Sequence, residues 1–373
     1  MAGASEARAE VQNGPPAPRA NPGLVGHEAA ERELERLYRT GRLPHAILLS
    51  GPRGVGKATL AFRFARFLLA EADLPGDAER FGTATETGLA IAVDSGVFRR
   101  VAAGSHADLL TVERAWDPRR RRLRGEIVID DVRAILSFFR LTAAEEGWRV
   151  VILDGVEEMN RLAANAVLKI LEEPPDRGLL LLVSHQPGRV LPTIRSRCRQ
   201  LLLAPLSQGL VARLLRQYRP RLEAAEAASL ATLCGGSIGE AVGLADSGGL
   251  VLYRALLDIL SAIPKLDITR LHAFADRLGR NDAEDAYRVT AELLLQLVAR
   301  LATGRIAATM DPQSDVAAGE GALLRALDGR GESGRWAALH AKIADAFAAA
   351  DRLNLDRRQT LLGVFFAIGE AAR

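Results

Sequence analysis

The stretch from Ala46 to Ala70, AILLSGPRGVGKATLAFRFARFLLA, constrains the fold more tightly than any other part of the chain. Ile47, Leu48 and Leu49 read as a short buried strand, a glycine-rich turn follows, and a strongly apolar helix comes next. Gly51, Gly56 and Lys57 stand at the spacing G-x-x-x-x-G-K, with Gly54 between them. Glycines in such a loop let backbone N–H groups curl around phosphate, and the lysine supplies a point charge. The position after the lysine calls for Ser or Thr, whose hydroxyl would hold Mg²⁺, and here it is Ala58. Thr59 lies one residue on, rotated by roughly 100° around the helix. The expectation is a degenerate nucleotide site on Gly51, Gly54, Gly56, Lys57 and Thr59, with an anion nest and no metal ligand. The bland alternative is a glycine turn between a strand and a helix.

The second informative stretch is RVVILDGVEEMNRLAANAVLKILEEPP, Arg149 to Pro175. Val150 to Leu153 make an apolar strand ending in Asp154, the Walker B arrangement, in which a strand-end carboxylate reaches a nucleotide's metal. Hydrolysing ATPases of this kind place Glu next, to polarise the attacking water, and this chain has Gly155, with Glu157 and Glu158 further along as weak substitutes. Asn160 to Glu173 follows as a helix with Leu162, Ala166, Leu168 and Leu171 striping one side, stopped by Pro174 and Pro175. Leu179 to Ser184 is a further apolar strand, and its polar tip is either a γ-phosphate sensor or a strand end with no role. The run LPTIRSRCRQLLL, Leu191 to Leu203, sets Arg195, Arg197 and Arg199 along an exposed turn before a strand that rejoins the sheet.

At 373 residues the chain exceeds one ordinary core, so two or three domains are expected. Aromatic residues at 5%, with plentiful Ala, Leu and Arg, favour helices over sheet sandwiches. A net charge of +3 is too small to imply nucleic-acid binding by itself. Two cysteines, Cys198 and Cys234, make no disulfide framework and point to a reducing cytoplasm. No apolar run is long enough to cross a bilayer, so no membrane partner is expected. Residues 1–22 read as a disordered tail. Residues 71 to 126 read as an irregular insertion with one strand at Asp108 to Glu113; the run Arg119 to Arg122 is a solvated loop or, alternatively, a DNA contact. Ile127 to Phe139 passes from a strand end into a helix capped near Asp130 or Asp131. Beyond Gly249 the period is helical: Leu252 to Ile263, Leu271 to Leu278, Ala286 to Leu301, Trp336 to Phe347 and Leu361 to Ile368.

GPRGVGK at Gly51 to Lys57, IVIDDVR at Ile127 to Arg133, NRLAANAVLKILEEPP at Asn160 to Pro175, SRC at Ser196 to Cys198 and LNLDRRQ at Leu353 to Gln359 together resemble the delta-prime family of bacterial DNA polymerase III clamp-loader subunits, within the AAA+ class. The resemblance implies an α/β fold with an AAA+ P-loop parallel-sheet core over 23–205, a small helical lid over 206–248 and an all-helical C-terminal collar domain over 249–373. It implies as partners the other clamp-loader subunits, motor and clamp-opening, and through the complex the sliding clamp and primer-template DNA. Motor subunits of such loaders carry Ser or Thr after the P-loop lysine, Glu after the Walker B Asp, and a lid arginine after a Gly-Ser pair. Here those positions are Ala58, Gly155 and Gly239. The resemblance also implies that Arg197, in the SRC triplet, acts in trans on a neighbour's nucleotide. The four-cysteine zinc module frequent in this family has no counterpart between residues 60 and 150, so neither zinc nor any other metal is expected.

The leading expectation is thus a largely ATPase-inactive stator that supplies an arginine finger, requires no cofactor, and leaves weak ATP or ADP binding open. The alternative is an ATP-hydrolysing motor subunit of the same loader. A nuclease or polymerase catalyst needs clustered metal-binding carboxylates, and the dense acidic groups here lie on helix surfaces or at the LEEPP stop.

Overall fold

The computed structural model describes residues 14–72, 88–117, 122–140, 147–303, 316–317, 319–328 and 333–373. These form two compact units, Met1–Leu210 with Gly236–Gly239, and Val211–Gly235 with Glu240–Arg373. In chain order the first unit holds α1 (Glu28–Arg39), β1 (Ala46–Ser50), α2 (Lys57–Ala72), α3 (Gly96–Ala103), β2 (Leu109–Val112), β3 (Trp116–Asp117) and β4 (Arg122–Leu123). It continues with α4 (Ile129–Arg140), β5 (Arg149–Asp154), α5 (Arg161–Glu172), β6 (Gly178–Ser184), α6 (Pro192–Arg195) and β7 (Arg199–Leu202). Five strands make one sheet in the order β2-β5-β6-β1-β7, every neighbouring pair parallel. The expected α/β parallel-sheet core is what the chain forms.

The reason lies in the strand sequences. β1 and β6 are buried along their whole length, and β5 up to its last residue, as strands covered by helices on both faces must be. Alternate residues serve opposite faces: Ile47, Leu49, Ile152 and Leu181 pack with Leu60, Phe64 and Leu68 of α2. Leu48, Val151, Leu180 and Leu182 pack with Val132 and Ile135 of α4 and Val167 and Ile170 of α5. The stripe read on α5 is corrected here. Its buried side is Ala163, Ala164, Val167, Ile170 and Leu171, and Leu162 is 61% exposed. Asn160 caps the helix by accepting from Ala163 N at 2.9 Å, and Ala166 and Leu168 are only half-buried against the same core.

Two further readings are revised. The tail assigned to residues 1–22 is structured in its described part: buried Arg66 donates to Arg19 O at 2.8 Å and Asn21 O at 2.7 Å, and Arg63 donates to Pro22 O at 2.6 Å. Arg66 also stacks 4.7 Å over the Phe98 ring, and burial, with Arg63 adding to it, lowers its guanidinium pKa to about 10, so it stays charged at neutral pH. The insertion contains more structure than its composition suggested. Ser95 caps α3 by accepting from Phe98 N at 3.1 Å, Gly104 ends the helix with φ 70°, and β3 and β4 pair antiparallel. Arg119 to Arg121 lie outside the described residues.

Every described element after β7 is a helix: α7 (Gln208–Tyr218), α8 (Ala224–Leu233), α9 (Ile238–Asp246), α10 (Gly249–Leu260), α11 (Ile268–Leu278), α12 (Glu284–Ala302), then Glu320–Asp328, Ser333–Leu353 and Arg357–Ala371. The residues expected as a lid, 206–248, divide between the two units: 236–239 fall with the sheet and α8 with the later helices. Among the described residues no helix is long and apolar enough to cross a membrane. The LNLDRRQ block is a helix start: Asp356 accepts from Gln359 N at 3.0 Å, and Arg358 pairs with Asp276 and lies 2.9 Å from His272 Nδ1.

Among the described residues of the second unit, one carboxylate is fully buried. Glu320 accepts from Tyr253 Oη at 2.6 Å, Arg300 Nη1 at 2.5 Å and Val316 N at 2.7 Å, and is inaccessible to solvent. Such a group is stable only with its donors in place. Glu320→Ala is expected to lower the unfolding free energy by about 3 kcal/mol in chemical denaturation, and Glu320→Gln by less, since the amide oxygen keeps part of the bonding. An unchanged denaturation midpoint for Glu320→Ala would contradict this.

Candidate nucleotide site and the outward arginine

β1 delivers the P-loop to the carboxyl edge of the sheet. Gly51 and Gly54 adopt φ 150° and 72°, and a Cβ at residue 51 would lie 2.3 Å from Leu203 O, so the turn requires glycine there. Lys57 is 2% exposed, and its ammonium donates to Gly51 O at 2.8 Å and to Pro52 O. The positive charge that would meet a phosphate is therefore satisfied by the loop's own carbonyls. His27 Nε2 lies 2.7 Å from Val55 O; a carbonyl only accepts, so this nitrogen carries the proton. Leu24 and His27 also stand over Gly56, where a Cβ would come within 3.1 Å of Leu24 Cδ1.

Gly239 closes the loop from the other side. Its amide donates to Gly54 O at 3.0 Å, and a Cβ at 239 would lie 2.9 Å from Gly54 Cα. No side chain fits there without a shift of the backbone. Thr59 is buried in α2, while Ala58 before it is half-buried. As it stands this arrangement does not fit a bound nucleotide: the lysine must leave two acceptors, and Ala58 supplies no metal ligand.

Asp154 ends β5 at the same carboxyl edge, with β6 between β5 and β1. His185 Nε2 lies 3.3 Å from Asp154 Oδ1, in ion-pair range but not aligned as a hydrogen bond. Gly155 has φ 84°, and a Cβ there would sit 2.5 Å from Glu158 Oε2. A glutamate at 155 would thus be strained and would have to displace the Glu158 carboxylate. The two nearby glutamates are engaged otherwise. Glu157 Oε1 accepts from His185 N at 2.8 Å, and Glu158 pairs with Arg114 at 2.8 Å, while burial pushes the Glu158 carboxyl above its usual range against the pull of Arg114. Among the described residues Ser184 Oγ, fully buried at the tip of β6, makes no hydrogen bond. Neither His185 nor Arg114 was singled out as a partner of this edge, since the sheet alone brings residues 114, 154 and 185 together.

The three arginines of the Leu191–Leu203 stretch meet different partners. Arg195 Nη1 lies 3.4 Å from Pro187 O, and Arg199, first in β7, pairs with Glu33 at 3.1 Å. Arg197 donates to Glu172 Oε1 at 2.9 Å and to Thr193 O at 3.2 Å, with its side chain 39% and that of Glu172 52% exposed. The pairing within the chain that would weaken a trans role is thus present, but in solvent. Burial pushes the adjacent Cys198 thiol up to about 12, so it is a packing group rather than a nucleophile. Among the described residues no cluster of three or more His, Cys, Asp or Glu is placed to hold a metal ion.

Residues 26–207 match the family model described as DNA polymerase III, delta subunit. Over 158 residues the chain is 42% identical to the DNA polymerase III subunit delta′ of Pseudomonas aeruginosa, covering 42% of each protein. It is 33% identical over 172 residues to the delta′ subunit of Yersinia pestis, covering 46% of this chain and 44% of the relative. Subunit tau of Bacillus subtilis is 28% identical over 282 residues, covering 73% and 46%. The chain spans less than half the length of these relatives. Among solved structures, a DNA polymerase III gamma subunit-related protein of Thermotoga maritima aligns with a TM-score of 0.41 at 19% identity, covering 91% of this chain and 99% of that one.

The engaged Lys57 generates a direct test. Titration with Mg-ATP, followed calorimetrically, is expected to show no saturable binding below about 1 mM. Saturation in the micromolar range would mean that the lysine leaves its carbonyl acceptors at little cost.

Proposed function

We propose that this chain, whose residues 26–207 match the family model described as DNA polymerase III, delta subunit, and which resembles delta′ subunits, is a clamp-loader subunit that does not itself hydrolyse ATP and presents Arg197 to the nucleotide of a neighbouring motor subunit. The observation that carries the reading is a contrast. At Ala58, Gly155 and Gly239 the groups that would serve a nucleotide in this chain are missing; at 239 the Gly54 backbone leaves no room for a side chain, and at 155 a left-handed φ strains one. Arg197, by comparison, keeps a guanidinium at the surface.

The Glu172 pairing is compatible with this role on energetic grounds. Exposed ion pairs are worth roughly 0.2–1 kcal/mol, whereas guanidinium hydrogen bonds to phosphate are charge-assisted and bidentate. Exchanging a solvated carboxylate for phosphate oxygens therefore costs little. The exposed Leu353, Leu355 and Phe366 of the second unit support contact with other subunits, whose identity as motor and clamp-opening chains follows from the family reading. Contact with the sliding clamp and primer-template DNA belongs to the same proposal, as does a cytoplasmic setting. The motor-subunit alternative is not favoured, because Ala58 and Gly155 remove both the metal ligand and the water-polarising carboxylate.

Arg197→Ala is expected to leave folding and complex assembly intact and to lower the clamp- and DNA-stimulated ATPase of the neighbouring subunit. Arginine fingers in GTPases contribute on the order of 10³–10⁵ in rate, and one site among several in a ring gives less. Arg197→Lys should restore little, since the ammonium lacks the planar fork. Normal clamp loading by the alanine variant in a full complex would remove Arg197 from the mechanism. The isolated chain should show negligible ATP turnover, and about one event per second would instead support the motor reading.

A further inference from the structure

The ribbon of β3 and β4 takes no part in the five-stranded sheet or in the P-loop and arginine chemistry. Its register sets Trp116 opposite Leu123 and Asp117 opposite Arg122, and Arg124 N donates to Ala115 O at 2.8 Å. Directly opposed residues project to the same face of a ribbon, about 4.5–5.5 Å apart at Cβ. Trp116 is 58% and Leu123 46% exposed, so an apolar strip lies open on this face. The other tryptophans behave differently: Trp336 is fully buried and Trp148 half-buried.

The sequence of the ribbon is strongly basic. From Trp116 to Arg124 the sequence holds five arginines and one carboxylate, Asp117. Three of the arginines, Arg119 to Arg121, lie outside the described residues, so the site is drawn on Trp116, Leu123 and exposed Arg124. We propose that this ribbon binds single-stranded DNA, with a base stacked on Trp116 beside Leu123 and phosphate neutralised by Arg124. An open aromatic face combined with arginine charge is the pairing that single-strand binders use, because every base offers a π-face and every nucleotide a negative charge. An apolar protein partner fits the ribbon poorly, since covering it would take exposed Arg124 out of water without an acceptor. The inference does not depend on Arg197 or on the absence of ATP hydrolysis.

The test is titration of the full chain with an oligo-dT of about 16 nucleotides at low salt, read by tryptophan emission. Saturable quenching is expected, weakening as salt rises. Trp116→Ala should lower the affinity roughly 5- to 150-fold without shifting the thermal unfolding midpoint, as exposed side chains contribute little to the fold. Trp116→Phe should keep most of the affinity and lose most of the quenching, which identifies the reporter. Arg124→Ala should reduce the slope of log affinity against log salt by about 0.7. Trp116→Ala binding as tightly as the parent chain, or polyglutamate displacing the oligonucleotide as well as DNA does, would overturn the proposal; the second result would assign the ribbon to acidic polymers in general.

Discussion

The approach of Gly51 to the end of β7 is the contact on which the rest of the first unit depends. Leu203 N donates to Ser50 O at 2.8 Å, and Leu203 O lies where a Cβ of residue 51 would be. β1 can then run between β6 and β7 and turn sharply into α2 without leaving the sheet. Parallel strands joined by helices place all their carboxyl ends along one edge, so the P-loop, Asp154 and Ser184 share an edge by topology rather than by sequence, while the turn before Arg199 lies at the opposite, amino edge.

At that edge the nest is filled by its own chain. A buried ammonium must have acceptors, and Lys57 finds them in Gly51 and Pro52. Two of the three residues that depart from the motor pattern are tied to the same packing. Gly239 rests on Gly54, and Gly155 stands against Glu158, which Arg114 holds in turn. A side chain at 239 would meet backbone, and one at 155 would sit at a left-handed φ against an engaged carboxylate. Ala58 is different: it is half-buried, and nothing in its surroundings accounts for the missing hydroxyl.

Much of the sheet was legible because buried parallel strands are written as unbroken apolar runs, and Ala46–Ser50, Arg149–Asp154 and Gly178–Ser184 are such runs. The later helices were legible from their period. The stripe on α5 was not, because leucine content alone does not say which face is covered: Leu162 is exposed while Ala163, Ala164 and Val167 are buried. The structured part of the N-terminal tail was missed for a related reason. Arg63 and Arg66 look like solvent residues on an apolar helix, yet they are buried under carbonyls from residues 19–22.

By itself the sequence determined the α/β class, the loop with its three glycines and lysine, the loss of hydroxyl and carboxylate at Ala58 and Gly155, and the presence of Arg197 in an exposed turn. These are properties of residue type and spacing, which act over a few positions. Only the tertiary structure decided that Lys57 turns inward, that Gly239 meets Gly54, that His185 faces Asp154 and that Glu172 holds Arg197. Each of those contacts joins polar atoms, most of them distant in the chain, whose partners are chosen by the path of the backbone, and no local pattern of hydrophobicity or charge encodes that choice.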